Sequence, residues 1–111
     1  MVINWVGEIM ANIPDVLTAA SNAYGLLLEN DRVRVMEIKL KPGQKAPMHN
    51  HPHDHVVYVK NDAKLKLSFL DGTTSVVELK AGKTFWLEAG SHETENVGAT
   101  PGDNIVIELK K

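Results

Sequence analysis

From Tyr24 onward, apolar residues recur at alternate positions in short runs, and turn residues separate the runs. Tyr24 to Asn30 and Arg32 to Leu40 form the first two runs, parted by Asp31. The stretch KPGQKAP reads as a loop, and HVVYVK opens at His55. Asn61-Asp62 is a tight-turn pair that supplies positive-φ residues, and Asp71-Gly72 is a hairpin signal between Ala63–Leu70 and Thr74–Lys80. Thr84–Glu88, Ser91–Val97 and the closing NIVIELK complete about eight short strands. Strict alternation in Lys64-Leu65-Lys66-Leu67 predicts one wet face and one buried face. No helical period falls between these runs, so parallel crossovers are disfavoured. The pattern predicts an all-β sandwich or barrel.

Only residues 1 to 22 carry a different period. Ile3, Val6, Ile9, Met10 and Ile13 follow a three-to-four spacing, Asn4 stands where a cap would, and Pro14 ends the pattern. This segment is expected to be an N-terminal arm or short helix, with residues 23–111 forming one β-barrel domain. The chain's 111 residues suit a single domain. A net charge of -2 without a basic block argues against nucleic acid. Glu8 and Asp15 interrupt the moderately apolar start, which lacks a basic lead; no signal peptide or membrane span is expected, and the cytoplasm is the default. The absence of cysteine excludes thiolate ligands, disulfides and thiol catalysis.

The chemistry concentrates in MHNHPHDH, Met48 to His55, which holds four of the five histidines. His49 and His51 are two apart and share a side of an extended chain. His55 shares parity with Val57 and Val59, while His53 has the parity of His49 and His51 but follows a bend expected at Pro52. The fifth histidine, His92, opens a distant strand. Imidazoles arriving from separate strands suit a divalent transition metal. A solvent-exposed loop that happens to be rich in histidine explains the tract alone equally well.

The spacings of these residues resemble the two motifs of the cupin superfamily. Gly43, five residues, then His49-Asn50-His51 matches the start of the first motif. His55 stands where that family has a glutamate, and Asp62 where it has a glycine. Gly82, Gly90, His92 and Asn96 match the second motif, with Glu88 in place of a proline and one residue fewer before His92. The resemblance spans about two-thirds of the chain. It implies a double-stranded β-helix, or jelly-roll barrel, of the RmlC-like kind, with metal ligands at His49, His51, His55 and His92. His55 has two other roles open to it: a hydrogen-bonding neighbour of the ligands, or a base. An all-imidazole set favours late first-row metals over magnesium or calcium; iron, nickel, zinc, manganese and copper are the candidates. Glu93 and Glu95 neighbour His92 but alternate away from it.

Other residues receive structural readings. Asn96 is expected to hydrogen-bond backbone at a strand end. Phe69, Phe85, Trp86 and Tyr58 are expected in the core or cavity wall, and Lys64 and Lys66 on a wet face. The resemblance implies either an enzyme acting on a small organic substrate (dioxygenation, isomerisation, lyase or decarboxylase chemistry) or a binding module that holds a small ligand without turnover. An intact barrel with an empty histidine tract is the third possibility. Exposed sheet edges and the apolar arm imply a homodimer.

Overall fold

The computed structural model describes residues 13–110. The spacing over Ile3, Val6, Ile9 and Met10 lies outside these residues. Within the described residues, a short helix follows Pro14. The helix α1, Val16–Ala19, is capped by Asp15, whose carboxylate accepts from the Leu17 amide.

Nine strands follow: β1 (Tyr24–Glu29), β2 (Val33–Leu40), β3 (Lys45–His51), β4 (His55–Val59), β5 (Ala63–Phe69), β6 (Thr74–Leu79), β7 (Thr84–Leu87), β8 (Gly90–Asn96) and β9 (Gly102–Leu109). They form two antiparallel sheets, ordered β1-β2-β9-β4-β7 and β3-β8-β5-β6. Two facing sheets are the all-β sandwich expected from the alternation, and their strand order fits the double-stranded β-helix that the resemblance implies. The inward residues obey period 2: Arg34, Met36, Ile38 and Leu40 on β2, Leu65 and Leu67 on β5, Asn104, Val106 and Glu108 on β9. Met36, Leu40, Val57, Val59, Leu65 and Val106 are the heart of the apolar core. Each such side chain contributes about 1.5–3 kcal/mol by leaving water.

β3 is the strand that the apolar pattern does not announce. KPGQKAP reads as a loop, yet only Pro42 and Gly43 turn, and pairing with β8 begins at Lys45. Pro47 cannot donate to a ladder, and the register shifts between Ala46 and His49. Beyond that irregularity, His49 stands directly opposite His92.

The turns that frame the site use glycine at Gly43 and Gly82, with φ of 84° and 85°. A side chain there would be strained in the left-handed region. Asn61 and Asp62 do not follow suit, contrary to expectation. No described residue other than glycine has positive φ. Asp62 instead accepts from the Ala81 amide, and Asn61 donates to the Pro101 carbonyl, so their side chains tie loops together. Asn96 makes the expected backbone bonds. It donates to the carbonyls of Leu40 and Thr100 and accepts from the Gly98 amide.

Candidate metal centre

His49, His51 and His92 converge inside the barrel. One ligand nitrogen from each lies within 4.8 Å of the others, and all three residues are buried. The strands explain this. His49 and His51 share the inward face of β3, and antiparallel pairing sets His92 of β8 across from His49. Ring centroids are 4.9 Å apart for His49–His51, 4.8 Å for His49–His92 and 5.0 Å for His51–His92.

The hydrogen bonds select the nitrogen each ring offers. His49 Nδ1 lies 2.6 Å from the Pro47 carbonyl oxygen, and His51 Nδ1 lies 2.8 Å from Glu108 Oε2. An oxygen acceptor at Nδ1 places the proton there and leaves Nε2 with its lone pair. Nε2 of His49 and Nε2 of His51 are buried without any hydrogen-bond partner. Two orphaned imidazole lone pairs aimed into one pocket fit a metal ion.

His55 sits beside this group rather than within it. Its ring stacks on His51 at 4.3 Å with the planes 24° apart, and its Nδ1 lies 3.0 Å from the His53 carbonyl oxygen. His55 is buried on the same face as Val57 and Val59, as parity requires. His53 is half-buried, and its backbone, not its ring, serves the site by orienting His55.

Burial keeps all four rings neutral near neutral pH. It pushes His51 and His92 down to about 2, with the neighbouring imidazoles adding to the effect. Burial lowers His49 and His55 as well. Neutral imidazoles are the form that binds metal.

Two residues at the site escaped the sequence reading. Tyr24 packs edge-on against His49 and His51, at 5.2 and 5.8 Å. Glu108, with no exposed surface, accepts from Arg34 Nε at 2.9 Å as well as facing His51. Burial raises the Glu108 carboxyl, and Arg34 pulls it part of the way back. A signal for Glu108 existed: it is the charged member of the inward set Asn104, Val106, Glu108.

Glu93 and Glu95 do alternate away from the pocket; Glu93 instead meets Lys45 at 3.3 Å. Lys64 and Lys66 face away from the core, as expected. Gln44 closes the Gly43 turn by accepting from the Lys41 amide. Tyr58 and Trp86 are 41% and 51% exposed, which takes both out of the core, although Trp86 does form part of a groove wall. Both fall on the outward parity of paired strands, where Val57 and Phe85 point in.

Behind the histidines the sheets enclose a cavity of about 30 Å³, lined by Leu67, Phe85, Leu87, His55, His92 and Asn104 among others. That holds a water or two and no organic molecule. A larger groove of about 380 Å³ opens at Phe69, Trp86, Leu87, Ser91 and His92, with Glu88 on its rim. Its size suits a small ligand.

Two packed sheets wound as a double-stranded β-helix, with histidines converging from β3 and β8, define a jelly-roll protein with an interior imidazole site. Solved structures agree. A cupin domain from Bordetella pertussis is 27% identical, with a TM-score of 0.73, over 79% of this chain and 92% of that one. An RmlC-like cupin with a double-stranded β-helix fold from Methanocaldococcus jannaschii is 14% identical, with a TM-score of 0.65, over 78% of each chain. The polyketide cyclase RemF from Streptomyces resistomycificus is 18% identical, with a TM-score of 0.61, over 92% of this chain and 77% of that one. The chain has the double-stranded β-helix fold of the cupin superfamily. No family model matches the sequence, and no curated protein does. No described helix is long and apolar enough to cross a membrane.

Proposed function

We propose that the barrel holds one divalent transition metal through Nε2 of His49 and of His51 together with His92, and that His55 is the fourth imidazole of the site. The observation that carries this reading is the pair of buried, partnerless Nε2 atoms converging with His92. The donor set is all nitrogen, which suits iron, nickel, zinc, manganese or copper rather than magnesium or calcium. Such an ion would supply Lewis acidity or a site for O₂. The protein's part is to keep the imidazoles neutral, fix the rings and exclude bulk water from behind them.

The small organic ligand enters by the Phe69–Trp86 groove, since the interior cavity admits nothing larger than water. Phe69, Trp86 and Leu87 present apolar surface there, and Glu88 is the one charged side chain of the lining. This favours a neutral, largely apolar substrate over a dianionic one, which would call for Lys or Arg. Isomerase, lyase and dioxygenase chemistry all fit such a site. A binding role without turnover fits the same groove.

The untagged protein is expected to carry close to one equivalent of transition metal, measured by elemental analysis. His51→Ala is expected to lose it, whereas His55→Ala retains it with weaker affinity. Less than half an equivalent of every transition metal, with no uptake on titration, would sink the metal reading. Turnover of diketone, aromatic diol or sugar-acid substrates with Fe(II), Ni(II) or Mn(II), lost in His51→Ala, separates the enzyme from the binding module.

The assembly is proposed to be a homodimer. β1 ends the five-stranded sheet and leaves Leu26, Leu27 and Leu28 each at least half exposed, an apolar edge that a second copy would cover. Light scattering should then return twice the chain mass of 12.2 kDa. A single-chain mass at micromolar concentration rejects it.

A further inference from the structure

We propose that Glu108, Arg34 and Asp15 form a positioning relay that fixes the tautomer of His51 for metal, and couples metal affinity to the segment around α1. This inference rests on the metal reading above and concerns residues the two cupin motifs do not contain.

The relay spans four elements. Glu108 of β9 pairs across the sheet with Arg34 of β2 on one side and His55 of β4 on the other. Its two oxygens are divided between two partners, Oε2 at 2.8 Å from His51 Nδ1 and Oε1 at 2.9 Å from Arg34 Nε. The remaining face of the Arg34 guanidinium grips Asp15, with Nη1 to Oδ2 at 3.0 Å and Nη2 to Oδ1 at 2.9 Å. Such a two-pronged clamp fixes direction as well as charge. Asp15 is itself anchored, because it caps α1. Next to it, the Pro14 carbonyl accepts from the Asn50 amide, between His49 and His51. The segment before β1 is thus fastened to the strand that bears both histidines.

The chemistry of Glu108 follows from its being an acceptor on both sides. A carboxylate facing Arg34 and His51 requires the His51 proton on Nδ1, so Nε2 keeps its lone pair for the site. An amide at the same place would reverse this. Its oxygen would face the Arg34 donor, its NH₂ would face His51 Nδ1, and the imidazole proton would move to Nε2, where a metal should bind. Two carboxylates against one guanidinium also leave one net negative charge beside four neutral imidazoles. That charge occupies the inner layer of the barrel from β9, where the first motif, with His55, lacks its carboxylate. Partners of this kind typically govern metal affinity by 10–100-fold.

The test uses the full chain, stripped of metal, with Glu108→Gln and Asp15→Asn variants. Zn(II) and Ni(II) affinities are measured by calorimetry against a competing chelator. The His51 tautomer is read from ring ¹⁵N shifts of the metal-free protein. The parent should show the proton on Nδ1; Glu108→Gln should show it on Nε2 and bind metal about 10–100-fold more weakly. Asp15→Asn, at a partly exposed position, should weaken binding by a smaller factor, roughly threefold to tenfold, while the chain stays folded. A purely structural ion pair would alter melting temperature but move neither the tautomer nor the affinity. Affinities within twofold of the parent in both variants, with an unchanged tautomer, overturn the relay. Should Glu108→Gln fail to fold, Asp15→Asn decides the matter by its affinity. If the parent takes up no metal, it is the metal reading that fails, and the relay stands or falls on the tautomer alone.

Discussion

Replacing Arg34 by methionine is expected to destabilise the metal-free protein by about 3–5 kcal/mol, the usual cost of stranding a buried charge. Glu108 has no exposed surface, and Arg34 is its only cationic partner among the described ion pairs. Methionine fills the space of the arginine stem, so packing loss is minor and the electrostatic term dominates. The carboxyl would respond by holding a proton to higher pH, as burial already urges it to. A second substitution supplies the control. With Glu108→Leu added, no fully buried charge remains to strand, because Asp15 is partly exposed to water, and much of the loss should return, since ion pairs exchanged for apolar residues are often neutral. Urea unfolding of the two variants checks this. A loss under about 1 kcal/mol in the single variant would mean that water reaches Glu108.

Acid should unfold the metal-free protein well above the pH where carboxylates ordinarily titrate. His51 and His92 are held down to about 2 in the folded state, chiefly by burial, whereas an unfolded histidine titrates near 6.5. Between those values the unfolded chain binds protons that the folded chain refuses. Stability therefore falls as pH drops below about 6.5, by about 1.4 kcal/mol per unit for each ring, hence roughly 3 for the pair. His49 and His55 act in the same direction. Glu108, raised by burial, opposes them by at most one proton. From pH 6 to pH 4 the two rings alone remove roughly 5 kcal/mol, comparable to the whole stability of many domains. Urea midpoints of chelator-treated protein at pH 7, 6, 5 and 4 should decline steeply. A flat profile would show that the rings protonate in place.

Much of this site is legible in the chain. The His49–His51 interval, their distance from Gly43, and the return of His92 after Gly82 are enough to bring three imidazoles together, because period 2 and sheet pairing convert spacing into direction. The strand that carries two of them is harder to see. Lys45 to His51 holds one buried apolar residue, Ala46, so apolar alternation has nothing to report. The relay hides for a different reason. Arg34 and Glu108 sit at inward positions of otherwise apolar strands, and their pairing joins residues 74 apart in sequence. A charged residue that breaks an inward apolar series is the trace such a pair leaves. Tyr58 was misplaced because aromatic character was weighed above parity, and Trp86 lies on a groove wall rather than in the core. Which nitrogen of His55 turns toward the pocket depends on the His53 carbonyl, a backbone atom that side-chain patterns do not register.

The parity of β3 has a consequence for how this chain can change over generations. Substitutions at Asn50 alter one outward side chain and leave both imidazoles facing in. Deleting Asn50 would turn one of the two histidines to the outer face. Length changes between His49 and His51 are therefore tolerable only in pairs. The register shift between Ala46 and His49 lies upstream of both histidines, so an odd insertion accommodated there would leave their inward parity intact.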